Sequence, residues 1–192
     1  MDINIEQKLN KLLEGIDEKY RDKHYTLAFV DIDKCKPEKG ALEEITRTFL
    51  EVVKDTLPCD AYYVGRDEFI LILEGCKSDK ALNLLMDLKH AWKNSEKNTF
   101  HLTFSAGIAS NSEHGDHASQ VLTGAEEGLY RAKQEGRNMI MQPEKDQKIM
   151  KSNYYYPYQL KRLKMYAEKT NNKEADILRL ALNEFFRRHD EL

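Results

Sequence analysis

Between Tyr62 and Leu73 the chain sets two short apolar runs, Tyr62-Tyr-Val64 and Phe69-Ile-Leu-Ile-Leu73, on either side of Gly65-Arg-Asp-Glu68. Two apolar runs flanking four polar residues with a leading glycine are a β-hairpin signal, and a hairpin fixes two antiparallel neighbours in a sheet. Ahead of it, Tyr25 to Asp31 (YTLAFVD) is an unbroken apolar run ending in an acid, which reads as a buried strand. Helical spacing surrounds these strands: Ile5, Leu9, Leu12, Leu13 and Ile16, then Leu42, Ile45, Phe49 and Val52/Val53 within Ala41 to Thr56. The pattern further predicts a helix from Ala81 to Trp92, a strand from Phe100 to Ala109, a helix from Ala118 to Glu135 closed by Gly136, and a final strand from Asn138 to Met141. Strand, helix, hairpin, helix and strand in this order make an α+β, ferredoxin-like sandwich with extra helices.

The chain is long enough, at 192 residues, for one domain and a small appendage. Its net charge of −3 hides an asymmetry. From Lys148 onward there are 10 basic and 6 acidic residues, whereas the first 147 carry 20 basic and 27 acidic. The polar stretch Gln142-Pro-Glu-Lys-Asp-Gln-Lys148 falls at the same point, so the expected division is a domain over 1–142, a linker over 143–149 and a basic module over 150–192. No run approaches a membrane span, and no basic-then-apolar leader opens the chain. Cys35, Cys59 and Cys76 are widely spaced without a C-x-x-C, which excludes a disulfide framework and a zinc knuckle. The expectation is a reduced, cytoplasmic protein without a membrane partner. His101, His114 and His117 make no convincing metal set.

The acids fall in an informative place. Asp31 ends one strand, Asp33 follows two residues on, and Asp67 and Glu68 sit in the hairpin turn. If the hairpin lies beside the first strand, these carboxylates converge at one edge. Clustered carboxylates with open positions suit Mg²⁺ when a triphosphate supplies the remaining oxygens. Such a site lowers the pKa of an attacking hydroxyl and neutralises phosphoryl charge. The plainer reading of Asp31 and Asp67 as turn residues stands beside this one.

Four ordered motifs carry a resemblance. VDIDKCK (Val30–Lys36) resembles a D-x-D metal strand, and YVGRDEFILIL (Tyr63–Leu73) resembles the GGDEF signature hairpin of diguanylate cyclases. LTFSAGIAS (Leu102–Ser110) and AEEGLYRAKQEGRN (Ala125–Asn138) resemble the same family's T-x-S-x-G-I-A strand and A-L-Y-x-A-K-x-x-G-R-N helix end. The resemblance implies a GGDEF-like palm, a group that includes the polymerase palms of CRISPR-associated cyclic-oligonucleotide synthases. It implies that Asp31 and Asp67, with the carbonyl of Ile32, hold Mg²⁺ or Mn²⁺. Glu68 would stand near the attacking hydroxyl or a second metal, and Lys36, Lys133 and Arg137 would contact the triphosphate. For Lys133 and Arg137 a basic helix C-terminus is the ordinary alternative.

Three departures qualify the resemblance. The signature reads Gly65-Arg66 rather than Gly-Gly, so Arg66 either obstructs the nucleotide or touches its phosphate or base. The family's Asn and Asp that read guanine have no counterpart in the shortened Pro37-Glu-Lys-Gly40-Ala41. That argues against selective GTP recognition and for another base, ATP foremost. The R-x-x-D inhibitory site is replaced by Thr56-Leu-Pro-Cys59. The resulting expectation is a nucleotidyltransferase condensing two nucleoside triphosphates into a cyclic dinucleotide. It is similar to the minimal CRISPR polymerases, whose signals imply antiphage defence.

The basic tail reads as strand (Lys148–Tyr156), helix opened by Pro157, turn Thr170-Asn-Asn172, and helix (Lys173–His189). That order resembles a ribbon-helix-helix module, which implies a homodimer, since so small a segment cannot bury two apolar helix faces alone. Tyr154 and Tyr156 would point inward, leaving Lys151, Asn153 and Tyr155 outward as candidate DNA contacts. Dimerisation alone is favoured over DNA binding, because the charge is modest and three successive tyrosines are unlike a reading strand. A two-fold clamp would also bring two triphosphate sites together. Two rivals remain open: a ribbon-helix-helix transcription factor with a degenerate nucleotide-sensing palm, and a catalytically dead interaction module.

Overall fold

A computed structural model describes residues 3–35, 41–144 and 149–189. The chain divides into two compact units, Met1–Pro143 and Glu144–Leu192. In the first, the order is α1 (Ile3–Lys19), β1 (Tyr25–Ile32), α2 (Ala41–Thr56), β2 (Asp60–Gly65), β3 (Glu68–Glu74) and α3 (Ser78–Asn94). There follow β4 (Phe104–Ser110), α4 (Asn111–His114), α5 (Ala118–Gln134) and β5 (Ile140–Met141). The sheet runs β2-β3-β1-β4-β5, with β1 antiparallel to both β3 and β4 and β5 parallel to β4.

Every residue of β1 is buried, because helices cover both faces of the sheet. The period of two along a strand divides its side chains. Ala28, Val30 and Ile32 of β1 and Phe69, Leu71 and Leu73 of β3 pack with Phe49 of α2 and Trp92 of α3. Leu27, Phe29, Ile70 and Ile72 face the opposite layer, with Leu13 and Ile16 of α1 and Val121, Leu122 and Ala125 of α5. The extra helices are thus a third layer, without which the odd residues of β1 would face water.

The strand expected from Phe100 starts only at Phe104. Asn98 is the reason: its amide donates to the carbonyls of Trp92 (3.2 Å) and Leu102 (2.9 Å), and its Oδ1 accepts the Leu102 N–H (2.9 Å). One side chain satisfies the backbone groups a sheet partner would otherwise have taken. The last strand is likewise shorter than expected, because Arg137 (φ 68°) and Asn138 (φ 53°) are left-handed.

The second unit contains α6 (Pro157–Thr170) and α7 (Glu174–His189), with Pro157 in the first turn and Asn171 left-handed (φ 52°) in the connection. Residues 149–156, read from the sequence as a strand, form none within the single chain; Lys148 lies outside the described residues. A lone extended segment has no ladder partner within one chain. Tyr154 and Tyr156, expected to point inward, are exposed, and Tyr155 is the least exposed of the three. Only Ala167 and Asp176 are buried among the described residues of this unit, while Leu160, Met165, Leu182 and Phe185 are exposed.

Candidate functional site

The strand register brings the acids together. Asp31, at the end of β1, sits opposite Glu68 of β3 on one side and Ser105 of β4 on the other. Only Arg66 and Asp67 separate β2 from β3, so the turn lies beside the β1 terminus. Two bonds hold it there: the Ile32 N–H donates to the Asp67 carbonyl (3.1 Å), and the Tyr63 hydroxyl donates to the Arg66 carbonyl (2.8 Å). Gly65 has φ 135°, where a glycine is needed, and Arg66 follows at φ 52°. A non-glycine residue in that region costs about 1 kcal/mol, which the two tethers offset.

Lys133 reaches the same edge from the last turn of α5, its Nζ 2.9 Å from Oδ2 of Asp31, both side chains largely buried. The helix end is a Schellman cap: Gly136 has φ 114°, and the Arg137 N–H donates to the Ala132 carbonyl at 2.9 Å. Arg137 is half-buried just beyond it. The structure therefore brings Asp31, Asp67, Glu68 and Lys133 to one edge, with Ile32 between the strand end and the turn. Lys36 lies outside the described residues. Lys151 and Asn153 are exposed residues of the second unit, where Asn153 Oδ1 accepts the Tyr154 N–H (2.8 Å).

Electrostatically the edge is a strained carboxylate pair. Burial pushes the Asp31 carboxyl up to about 6; Lys133 pulls it down, and the charges of Asp67 and Asp33 push it up again. Asp67 is raised as well, mainly by burial, against its own backbone hydrogen bond and the charges of Lys133 and Arg66. Cys35 is pushed up to about 11 by burial and then by Asp67 and Asp31, so it stays a neutral thiol at this edge. Among the described residues no group of three or more His, Cys, Asp or Glu is placed to hold a metal.

Asp33 plays a part the sequence reading missed. Its Oδ1 accepts the Ser105 hydroxyl (2.6 Å), and its Oδ2 accepts the Thr103 hydroxyl (2.7 Å) and the Asn138 N–H (2.9 Å). It clamps the end of β1 to β4 and to the segment after α5. No local pattern announces this, because its partners lie 70, 72 and 105 residues away in the chain. Asp33→Asn would set an amide N–H₂ against one of these donors. The expected loss is about 1–3 kcal/mol, read as a lower thermal midpoint with the fold retained.

An α+β palm with helices on both faces and a carboxylate–lysine cluster at the inner strand ends defines the class. Within it, the chain belongs to the GGDEF family: residues 40–139 match the model described as diguanylate cyclase, GGDEF domain. β1 and Asp31 precede the matched segment. Solved structures share the fold. The GGDEF domain of YfiN (TpbB) from Pseudomonas aeruginosa is 22% identical with a TM-score of 0.58, over 73% of this chain and 94% of that one. The active GGEEF domain of a Vibrio cholerae diguanylate cyclase is 22% identical with a TM-score of 0.52, over 68% and 88%. The GGDEF domain of DgcB from Caulobacter crescentus, in complex with c-di-GMP, is 19% identical with a TM-score of 0.55, over 69% and 85%. No curated protein sequence matches the chain. No helix among the described residues is long and apolar enough to cross a membrane.

Proposed function

We propose that the chain is a metal-dependent nucleotidyltransferase that condenses two nucleoside triphosphates into a cyclic dinucleotide, with ATP preferred to GTP. The observation that carries this is the buried edge where Asp31 and Asp67 converge beside Lys133. Two desolvated carboxylates facing a third, Asp33, gain from a dication, and hard oxygens suit Mg²⁺ or Mn²⁺. Asp31 and Asp67 with the Ile32 carbonyl would hold it, and the pairing of Asp31 with the Lys133 ammonium supports a cation at this carboxylate. Bound there, the ion would activate the attacking hydroxyl and neutralise phosphoryl charge. Lys133 and Arg137 would bind phosphate oxygens, Lys36 would add a third cation, and Glu68 would face the hydroxyl. Gly65 and Arg66 would line the nucleotide.

Base preference follows from Ala41, the first residue of α2, which offers a methyl where the family's guanine reader is an acid. The resemblance to minimal CRISPR polymerases supports a role for the product in antiphage signalling. The second unit, over 150–192 after a linker at 143–149, would be the dimeriser: its exposed Leu160, Met165, Leu182 and Phe185 suit a second copy, which would bring two triphosphates together. Lys151, Asn153 and Tyr155 would touch DNA only in the rival reading, a transcription factor with a nucleotide-sensing palm. Incubation with each labelled triphosphate and Mg²⁺ or Mn²⁺ tests the proposal. A cyclic product, most abundant from ATP, is expected; no product from any of the four overturns it.

The acid side of the pH profile follows from Asp31, which is protonated below about 6 and ionised above it. Mn²⁺ binding and turnover should therefore rise through pH 6. Stability of the metal-free protein runs the other way. The folded-state value lies above the ordinary 3.8, so the native state holds the proton more tightly, and stability falls as pH rises from about 4 to 6. Thermal midpoints across that window, compared with Asp31→Asn, check the sign.

A further inference from the structure

The carboxylate edge already carries one cation, and its placing sets a condition on any other. Lys133 Nζ lies 2.9 Å from Oδ2 of Asp31, with the two side chains 17% and 10% exposed. The same ammonium acts on Asp67, whose carboxyl its charge pulls down. Asp33 is committed to the β4 clamp, because both its oxygens accept hydrogen bonds, from Ser105, Thr103 and Asn138. That leaves Asp31 and Asp67 as the pair for a dication, and Lys133 is already on it. Helix α5 lies backbone against backbone on β4 at Gly107, so the ammonium moves chiefly by its own four-carbon stem.

Resting on the reading of this edge as a metal–triphosphate site, we propose that Lys133 is also its gate. In the nucleotide-free protein the Lys133 ammonium stands in for the metal on Asp31 and suppresses metal binding; a triphosphate draws the ammonium away. An oxygen engaged by an ammonium is closed to a dication on that side, and the two positive charges repel strongly where water is scarce. A triphosphate offers Lys133 other anionic acceptors, and its three donors rotate freely at the end of the stem. Asp31 is thus never left buried without a positive partner, which would be costly. Metal and nucleotide then bind with positive coupling, each tightening the other by the same factor.

Direct metal binding tests the gate without turnover. Free Mn²⁺ is counted by its electron paramagnetic resonance signal while the full chain is titrated at neutral pH. Lys133→Gln, which keeps a donor for Asp31 but no charge, should bind Mn²⁺ at least roughly tenfold tighter than wild type, about 1.4 kcal/mol. Lys133→Arg, which restores the charge, should bind as weakly as wild type. In the wild type, 2′,3′-dideoxy-ATP, which lacks the attacking hydroxyl, should tighten Mn²⁺ binding beyond the Mn²⁺ it chelates in a protein-free titration. Equal affinity in wild type and Lys133→Gln, lost in Asp67→Ala, overturns the gate and keeps the metal site. Mn²⁺ binding indifferent to Asp67→Ala overturns the site and the gate together. Wild-type affinity that dideoxy-ATP leaves unchanged overturns the gate with no variant involved.

Discussion

Asp67→Ala should lower nucleotide condensation by about 10²–10³ in kcat while leaving the fold intact. The side chain is half-buried in a two-residue turn, and the turn is held by backbone: Ile32 N–H to the Asp67 carbonyl, and Tyr63 hydroxyl to the Arg66 carbonyl. Alanine keeps both bonds. What it removes is one of two carboxylates for a dication whose charge stabilisation is worth several kcal/mol, and each 1.36 kcal/mol is tenfold in rate. A second readout separates this from simple damage. Burial disfavours the Asp67 charge, so deleting it should leave the metal-free thermal midpoint unchanged or raised. Lys133→Ala should behave differently, because it leaves the buried Asp31 without its ammonium partner and destabilises the protein as well. Asp67→Ala turnover within threefold of wild type would sink the two-carboxylate site.

The contrast between Asp67 and Asp33 shows what a sequence carries. The hairpin was legible because apolar alternation and a leading glycine are local signals, and the same holds for the apolar run of β1. Asp31 and Asp67 could be paired from topology alone, since a hairpin beside β1 has few places to put its turn. Asp33 could not be assigned, because a D-x-D spacing says nothing of which oxygen faces solvent. Its role depends on hydroxyls some seventy residues away in sequence, at Thr103 and Ser105, and on a backbone N–H at Asn138. The late start of β4 escaped for a related reason. Asn98 replaces ladder bonds with side-chain bonds, and periodicity does not report that. In the second unit the apolar faces of α6 and α7 were readable, but residues 149–156 find no ladder partner in a single chain. Propensity alone does not make a strand.

Gly107→Ala is expected to destabilise the protein by about 3 kcal/mol or more and to cost activity beyond the loss of fold. A Cβ at Gly107 would lie 1.7 Å from the carbonyl oxygen of Ala125 and 2.3 Å from the backbone nitrogen of Leu129. Both obstacles are backbone, so no side chain can swing aside; the helix itself must lift. Gly128 meets the sheet in the same way, its Cβ falling 2.5 Å from the Met141 carbonyl. These two glycines let α5 lie directly on β4 and β5. At about 2–4 °C per kcal/mol for a chain of this size, the midpoint should fall by roughly 6–12 °C. Gly15→Ala is the control, since it sits within α1 with nothing within 4 Å of its Cβ, and should stabilise by about 0.5–1 kcal/mol. The activity loss has its own cause. Lys133 stands at the end of α5 and meets Asp31 at 2.9 Å, so a lifted helix carries the ammonium away from the carboxylate edge. A misplacement of about 1 Å can cost 10²-fold in rate. A Gly107→Ala midpoint within 2 °C of wild type would show that the helix is not seated on the strand, and Lys133 would then need another anchor to reach Asp31.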